Sequence, residues 1–205
     1  MKSRKKPIEV FGNWVQSGKD EGMETNHREA VENMLGFALP SDQPFTFIDA
    51  GCGNGWVVRE VLQLPLCKSA TGVDGAAPMI AKAQKKDPKG TYFHADLLSW
   101  VPKNKVDVVH SMEVCYYFEN PILLLKHIYT HWLASGARLI MGMDYYMENT
   151  VSHSWPEDCG VSIMTLLSEK QWLQLFKQAG FVDIQHWRVG PKENWTGTLV
   201  VTGRR

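Results

Sequence analysis

Two kinds of hydrophobic pattern alternate along the chain from about residue 45 to the C-terminus. Short apolar runs of strand type occupy residues 45–50, 70–73, 91–94, 106–111 and 137–143. Helical patterns lie between them at residues 56–64, 76–86 and 121–133. Because strands that alternate with helices usually form βαβ units, this order predicts an α/β fold with a doubly wound, mostly parallel sheet.

The pattern changes after the fifth apolar run. Residues 144–162 form a long polar and aromatic connection, and compact domains rarely leave such a connection without a role. Ser168 then has the position of a helix N-cap, and Gly180 that of the residue beyond the helix end. Two more strand-like runs follow, at 181–189 and 196–202. We therefore predict a seven-stranded sheet with helices on both faces.

The segment before the first strand is predicted to be helical. Asn26 and Glu29 have the spacing of a capping box, and Gly36 lies just beyond the helix that this box would start. We expect residues 1–40 to form an N-terminal helical lid and residues 41–205 to form a single domain.

Composition narrows the classes of function. The 22 Lys and Arg residues balance 22 Asp and Glu residues, which leaves no excess positive charge for nucleic acid and argues against that partner. The sequence shows neither a signal-peptide core nor a membrane-spanning run. The four cysteines are scattered without a Cys-x-x-Cys pair, which favours reduced thiols over disulfides or a zinc site. We expect a cytoplasmic protein with no metal site; the oligomeric state is left open.

A glycine-rich turn follows the first predicted strand. Residues 47–55 read Phe-Ile-Asp-Ala-Gly-Cys-Gly-Asn-Gly, so three glycines alternate directly after a hydrophobic run. Glycine has no side chain that would block a nucleotide-like ligand from the backbone. The dinucleotide fingerprint needs its third glycine one residue later, and here Trp56 stands where a small residue is required. A nucleotide-like ligand other than NAD is thus favoured, with an ordinary strand-to-helix turn as the alternative.

This turn resembles motif I of the class I methyltransferases that depend on S-adenosylmethionine (SAM). Gly72-Val73-Asp74 is similar to the acidic end of that family's second strand, and His94-Ala95-Asp96-Leu97 to the turn that contacts adenine. Residues 106–113 and the final helix with its two strands resemble the family as well. The resemblance covers residues 45–203 and depends on the order of these motifs. It implies a methyltransferase with SAM as its cofactor.

The resemblance also implies where the cofactor binds. Asp49 would position the methionine part or shape the turn, Asp74 would accept hydrogen bonds from the ribose hydroxyls, and Asp96 with Leu97 would face adenine. A lone aspartate at a strand end can equally be a turn former. The full set of expected cofactor-binding residues is Asp49, Gly51, Cys52, Gly53, Asp74, Gly75, Asp96, Leu97, Ser111 and Met112.

Catalytic help is expected where the strands end, because ligands of open α/β sheets bind there. Methyl transfer requires mainly that the acceptor is aligned with the activated methyl group, so a general base is optional. His110 lies within an apolar run, and we expect it to be packed and hydrogen-bonded. The catalytic candidates are Glu113, Asp144, Tyr146 and His153.

The acceptor is expected to be a small, neutral or cationic molecule, because net charge is zero and the long connection is rich in aromatic residues. Methylation of a protein or RNA side group, and a SAM-binding regulatory module without catalysis, are the alternatives. Residues 116–118 could form a wall of the pocket or belong to the core. The segments expected to form the pocket supply Trp14, Glu21, Met23 and His27 before the sheet, and Tyr145, Tyr146, Glu148, His153 and Trp155 after the fifth strand.

Overall fold

One mixed sheet organises the molecule. The computed structural model describes residues 4–205, so that residues 1–3 of the predicted lid lie outside the described residues. The strands are β1 (Phe45–Ala50), β2 (Cys67–Asp74), β3 (Thr91–His94), β4 (Val106–Met112), β5 (Leu133–Met143), β6 (Val182–Val189) and β7 (Thr198–Arg204). Their spatial order is β3-β2-β1-β4-β5-β7-β6. β7 is antiparallel to β5 and β6, and the other neighbouring pairs are parallel. The predicted fold class is confirmed.

Helices cover both faces of this sheet. They are α1 (Pro7–Ser17), α2 (Lys19–Ala38), α3 (Trp56–Val61), α4 (Ala77–Lys86), α5 (Pro121–His127), α6 (Trp155–Asp158) and α7 (Glu169–Ala179). Ile128–Trp132 continues α5 as a π-helix, and Cys115–Tyr117 and Thr150–Ser152 form short 3₁₀ turns. One buried cluster contains Trp132 and Trp172 of the α5 and α7 side, and a second contains Met34 and Trp56 of the α2 and α3 side. None of the helices described is long and apolar enough to cross a membrane.

The ends of α7 follow the sequence prediction. The Ser168 hydroxyl accepts a hydrogen bond from the backbone N–H of Gln171 at 3.3 Å, and the Gln171 side chain accepts one from the Ser168 N–H at 2.8 Å. Gly180 ends the helix with φ of 103°, a conformation that costs glycine little. The predicted cap and helix end are therefore confirmed.

The segment before the sheet contains two helices, and the predicted helix start at Asn26 is wrong. Gly18 takes φ of 71° and separates α1 from α2 with a single residue. Asn26 and Glu29 lie inside α2 on its exposed side, so their capping-box spacing reflects a polar helix face. α2 also continues past Gly36 to Ala38, because glycine within a helix lowers its stability without ending it.

Buried charges fix α2 over the glycine turn. The Asp20 carboxylate is 2 % exposed and lies 2.7 Å from the Lys82 ammonium of α4. The Asn54 side chain, which belongs to the turn after β1, donates to Asp20 at 3.0 Å. The lid segment therefore lies at the carboxyl ends of the central strands, where α/β sheets bind their ligands.

Candidate active site

The turn after β1 places glycine residues, whose backbone no side chain covers, at the edge of the sheet. Gly51 has φ of 79° and Gly53 has φ of 52°, values that favour glycine. A side chain at Gly51 would collide with Val114, whereas the nearest atom to a Cβ at Gly53 would be Met79 Sδ at 4.0 Å. Glycine is thus required at position 51 by its backbone conformation and by the packing of Val114. At Gly53 the absence of a side chain leaves open space beside the backbone.

Asp74, at the end of β2, holds two turns together. Its carboxylate accepts the backbone N–H of Gly53 at 2.9 Å and that of Ala76 at 2.7 Å. Burial raises the pKa of Asp74, while these two donors oppose the increase. Each carboxylate oxygen keeps a second lone pair, so that Asp74 can accept further hydrogen bonds from a ligand.

A cavity of about 690 Å³ runs along these strand ends. At one end it meets the glycine turn and the turn after β3, where Asp96 accepts the N–H of Leu98 at 2.9 Å. At the other end it meets Glu113 and the aromatic residues that follow. The first helix of the lid borders both ends, with Ile8 next to Gly75 and Phe11 next to Tyr117. The expected cofactor-binding residues that line it are Gly51, Gly53, Asp74, Gly75, Asp96, Leu97 and Met112.

The other three expected cofactor-binding residues lie outside this cavity. Asp49 and Cys52 line a neighbouring recess of about 50 Å³. Asp49 lies 2.7 Å from Nδ1 of His110, which is completely buried; the expectation of a packed, hydrogen-bonded histidine is confirmed. The buried Ser111 hydroxyl donates to the carbonyl of Ala50 at 2.9 Å and faces neither space. Packing of β1 against β4 accounts for these contacts.

Two carboxylates and a histidine meet beyond the ends of β4 and β5. Glu113 has φ of 58°, and its side chain accepts the Tyr116 hydroxyl at 2.6 Å and the backbone N–H of Asp144 at 2.5 Å. Asp144 in turn accepts the Thr198 hydroxyl at 2.6 Å. Its second oxygen lies 3.6 Å from Nε2 of His27, on α2 of the lid. The structure thus brings two catalytic candidates, Glu113 and Asp144, together.

Electrostatics within this acidic cluster single out Glu113. Burial, followed by the neighbouring Asp144, raises the pKa of Glu113 to about 8. Burial lowers the pKa of His27, but Asp144 and Glu113 outweigh it and the net change is upward. Burial keeps the pKa of Tyr116 and Tyr117 well above the ordinary tyrosine value. Near neutral pH the tyrosines stay protonated, and Glu113 is placed to gain or lose a proton.

The same three groups are spaced as metal ligands could be. One donor atom from each of His27, Glu113 and Asp144 lies within 4.8 Å of the others. Three of the four carboxylate oxygens already accept hydrogen bonds from protein groups, which favours proton sharing over metal binding. The absence of a metal site stays a prediction.

Glu113 is the catalytic candidate that lines the cavity, and Asp144, Tyr146 and His153 do not line it. Tyr146 is fully buried, and its hydroxyl donates to the carbonyl of Gly197 at 2.8 Å. Nε2 of His153 lies 3.1 Å from the carbonyl of Met147. From the connection at 144–162 none of the pocket residues expected there lines the cavity, and Ile163 just after it does.

The lid contributes residues that the sequence pattern did not reveal. Met23 lines the cavity as expected, but so do Lys6, at the N-cap of α1, and Ile8 and Phe11 of α1. Trp14 packs against the Phe11 ring, with centroids 4.9 Å apart. Pro7 at the first helical position was the signal that could have located α1.

Comparison with known proteins settles the family. A family model described as "Methyltransferase domain" matches residues 23–186, which is most of the chain. The chain belongs to this methyltransferase family. The resemblance to class I SAM-dependent methyltransferases is thereby confirmed, with SAM as the family's cofactor. Other solved methyltransferases of this fold contain S-adenosylhomocysteine, the demethylated cofactor.

Among curated methyltransferases, the similarity extends to enzymes named for small acceptors. The chain is 28 % identical to trans-aconitate 2-methyltransferase of Azoarcus sp. (strain BH72) over half of its own length and 40 % of that enzyme. It is 24 % identical to the chloroplastic 2-methyl-6-phytyl-1,4-hydroquinone methyltransferase of Arabidopsis thaliana, over 88 % of this chain and 49 % of that one. The methyltransferase chain spans about half the length of the curated relatives it matches.

A solved structure shares the whole architecture. It comes from a complex between the Haloferax volcanii Trm112 methyltransferase activator and a methyltransferase. The two chains are 24 % identical, the match covers 95 % of this methyltransferase and 96 % of that chain, and the TM-score is 0.84. This likeness establishes the fold, including the helices before the sheet.

Proposed function

We propose that this methyltransferase transfers the methyl group of SAM to a small-molecule acceptor held between the lid and the ends of β4 and β5. The cofactor would lie along the glycine turn, with its ribose at Asp74 and its adenine at Asp96 and Leu97. The acceptor would lie at the end of the cavity that Glu113 and Phe11 border.

One observation carries this proposal: a single cavity is lined both by seven of the ten expected cofactor residues and by Glu113 of the acidic cluster. Its volume of about 690 Å³ lies within the roughly 300–1,000 Å³ of small-molecule sites. Pro7, Ile8 and Phe11 of the lid border it. A cavity of this size, bordered by the lid, suits a small acceptor better than a protein or RNA side group, and relatives named for small acceptors support the same assignment.

The residues of the chain would act mainly by positioning. SAM supplies an activated methyl group when it is bound, so the protein needs to align the acceptor and exclude water. The backbone at Gly53 lets the cofactor approach closely, while Asp74 fixes both flanking turns. The aromatic and apolar walls keep the acceptor end dry, and Glu113 can hold or accept a proton there.

Calorimetric titration tests the proposal directly. We expect both SAM and S-adenosylhomocysteine to bind the purified protein with one site per chain, and NAD to give no heat. Binding of NAD with no response to either adenosyl compound would overturn the proposal. Methyl transfer to any acceptor would separate an enzyme from a SAM-binding regulatory module.

A further inference from the structure

Acidic groups outnumber basic groups at the acceptor end of the cavity. Glu113 borders the cavity itself, and Asp144 lies directly behind it, with His27 as the nearby basic group. Of the described residues that line the cavity, none is arginine and Lys6 is the sole lysine. Lys6 is exposed, at the N-cap of α1. An anionic acceptor would therefore meet buried acidic groups, with no arginine and only the exposed Lys6 in the cavity lining to balance its charge.

Aromatic rings surround the same end. Phe11, Tyr117 and Phe118 line the cavity, and the rings of Phe11 and Tyr117 meet edge to face at 4.9 Å between centroids. Tyr116 supports Tyr117 from behind, with centroids 4.4 Å apart. Faces of aromatic rings attract cations, most strongly where water is excluded.

Glu113 is held in one place by its partners. The Tyr116 hydroxyl and the Asp144 N–H each donate to a different oxygen of its carboxylate. Each oxygen retains a second lone pair that can accept a proton or a hydrogen bond. Fixed orientation of this kind is what a proton acceptor next to a substrate requires.

We propose that the acceptor is a primary or secondary amine, which binds as an ammonium ion among the aromatic rings and gives its proton to Glu113. This assignment depends on the proposed function, since it names the acceptor of the same reaction. The acidic groups of the site and its aromatic walls favour the same chemical class.

The proton and electron balance of the step is simple. The ammonium group loses one N–H proton to the Glu113 carboxylate, which becomes a carboxylic acid, and the nitrogen regains its lone pair. That lone pair forms the new N–C bond to the methyl carbon while the C–S bond breaks, and the bonding pair stays on sulfur as S-adenosylhomocysteine is formed. Glu113 then releases its proton to solvent. The surrounding titratable groups are Asp144 on the β5 side, His27 on α2, and Tyr116 and Tyr117 after β4.

Ligand preference can be measured without turnover. The probes are phenethylamine, 2-phenylethanol and 3-phenylpropionate, which present an ammonium, a hydroxyl and a carboxylate on similar frames. We expect the protein saturated with S-adenosylhomocysteine to bind the amine about tenfold or more tightly than the alcohol in calorimetry, and the carboxylate least. The amine should also be the compound that accepts a methyl group from SAM.

Variants of Glu113 and Tyr117, with Glu119→Gln as a control, test whether these two residues cause the preference for the amine. Glu113→Gln should reduce the advantage of the amine over the alcohol by about tenfold, and Tyr117→Leu by a few fold. Glu119→Gln removes an exposed carboxylate that lies outside the cavity lining and should change neither value. Affinity for S-adenosylhomocysteine should be unchanged in all three variants.

The outcomes separate this inference from the proposed function. Failure of the wild-type protein to bind S-adenosylhomocysteine would overturn the proposed function itself. Normal binding of that compound, with the carboxylate or the alcohol bound as well as the amine, would overturn the amine assignment alone. The comparison of wild-type ligands stands even if Glu113→Gln fails to fold.

Discussion

The two ends of the cavity are built in different ways. At the cofactor end, the glycine turn and Asp74 meet through hydrogen bonds between a carboxylate and backbone N–H groups. At the acceptor end, His27, Glu113 and Asp144 come from three separate parts of the chain and meet through side chains. The first end is defined by backbone conformation at strand ends, and the second by tertiary packing. Mutations should therefore affect the two ends independently.

The largest effect is expected from Asp74→Ala. It removes the acceptor for two backbone N–H groups and the expected partner of the ribose hydroxyls. Because a hydrogen bond to a charged group contributes about 1.5–3 kcal/mol, the loss of one such bond should raise the dissociation constant for S-adenosylhomocysteine by about 10-fold to 150-fold. Calorimetry measures this change.

Asp107→Ala is the matched control for that experiment. Asp107 also accepts a backbone N–H, that of Thr46 at 2.8 Å, but it does not line the cavity. Its loss should leave cofactor affinity near the wild-type value. Equal affinities of wild-type and Asp74→Ala protein for S-adenosylhomocysteine would show that Asp74 stabilises the two turns and does not bind the cofactor.

At the acceptor end, Glu113 should make the free energy of unfolding depend on pH. Glu113 has a pKa raised from 4.5 to about 8, so the folded state binds its proton more tightly than the unfolded state does. The stability that this proton contributes is present below about pH 4.5 and is lost as pH rises through about 8. In wild-type protein the free energy of unfolding should therefore fall by on the order of a few kcal/mol between these two pH values, and Glu113→Gln should abolish this fall.

Urea denaturation at pH 5.5 and pH 8.5 tests this expectation. Glu113→Gln should resemble wild-type protein at the lower pH and exceed its stability at the higher pH. The pKa of His27 is also raised, which leaves a smaller decline of the same sign in the variant. Parallel curves for the two proteins would contradict the expectation, and Glu119→Gln should follow the wild-type curve.

The contrast between a locally built cofactor end and an acceptor end built by tertiary packing also explains which features could be predicted from the sequence. Apolar runs located every strand, and Ser168 and Gly180 marked the ends of α7, because these signals are local. The motif residues of the cofactor end are local as well. Glu113 and Tyr146 both follow strand ends, and sequence does not show which of them faces the cavity. Their difference arises from packing, since Tyr146 meets Gly197 and Glu113 meets Asp144.

A buried ion pair joins the lid to the cofactor end of the cavity. Asp20 contacts both Lys82 and the glycine-turn residue Asn54. Asp20→Asn should lower the free energy of unfolding by about 1–3 kcal/mol, because it removes the buried charge partner of the Lys82 ammonium group and leaves only the more exposed Glu21. It should also weaken cofactor binding by a few fold. Glu21→Gln alters a more exposed contact of the same lysine and should change neither quantity measurably; an equal loss in both variants would contradict a specific role for Asp20.

The smallest effect is expected at Tyr146, where sequence placed a catalytic candidate and the structure places a fully buried side chain. Tyr146→Phe removes one hydrogen bond, from the hydroxyl to the Gly197 carbonyl, and keeps the ring over which the Arg188 guanidinium lies at 5.5 Å. A lost hydrogen bond of this type costs about 0.5–1.5 kcal/mol, so thermal unfolding should shift down by a few degrees. Affinity for S-adenosylhomocysteine and, with an acceptor in hand, the rate of methyl transfer should equal those of wild-type protein. A fall in that rate without a change in stability would instead mean that the Tyr146 hydroxyl reaches the reacting groups, and that the connection after β5 belongs to the acceptor end of the cavity.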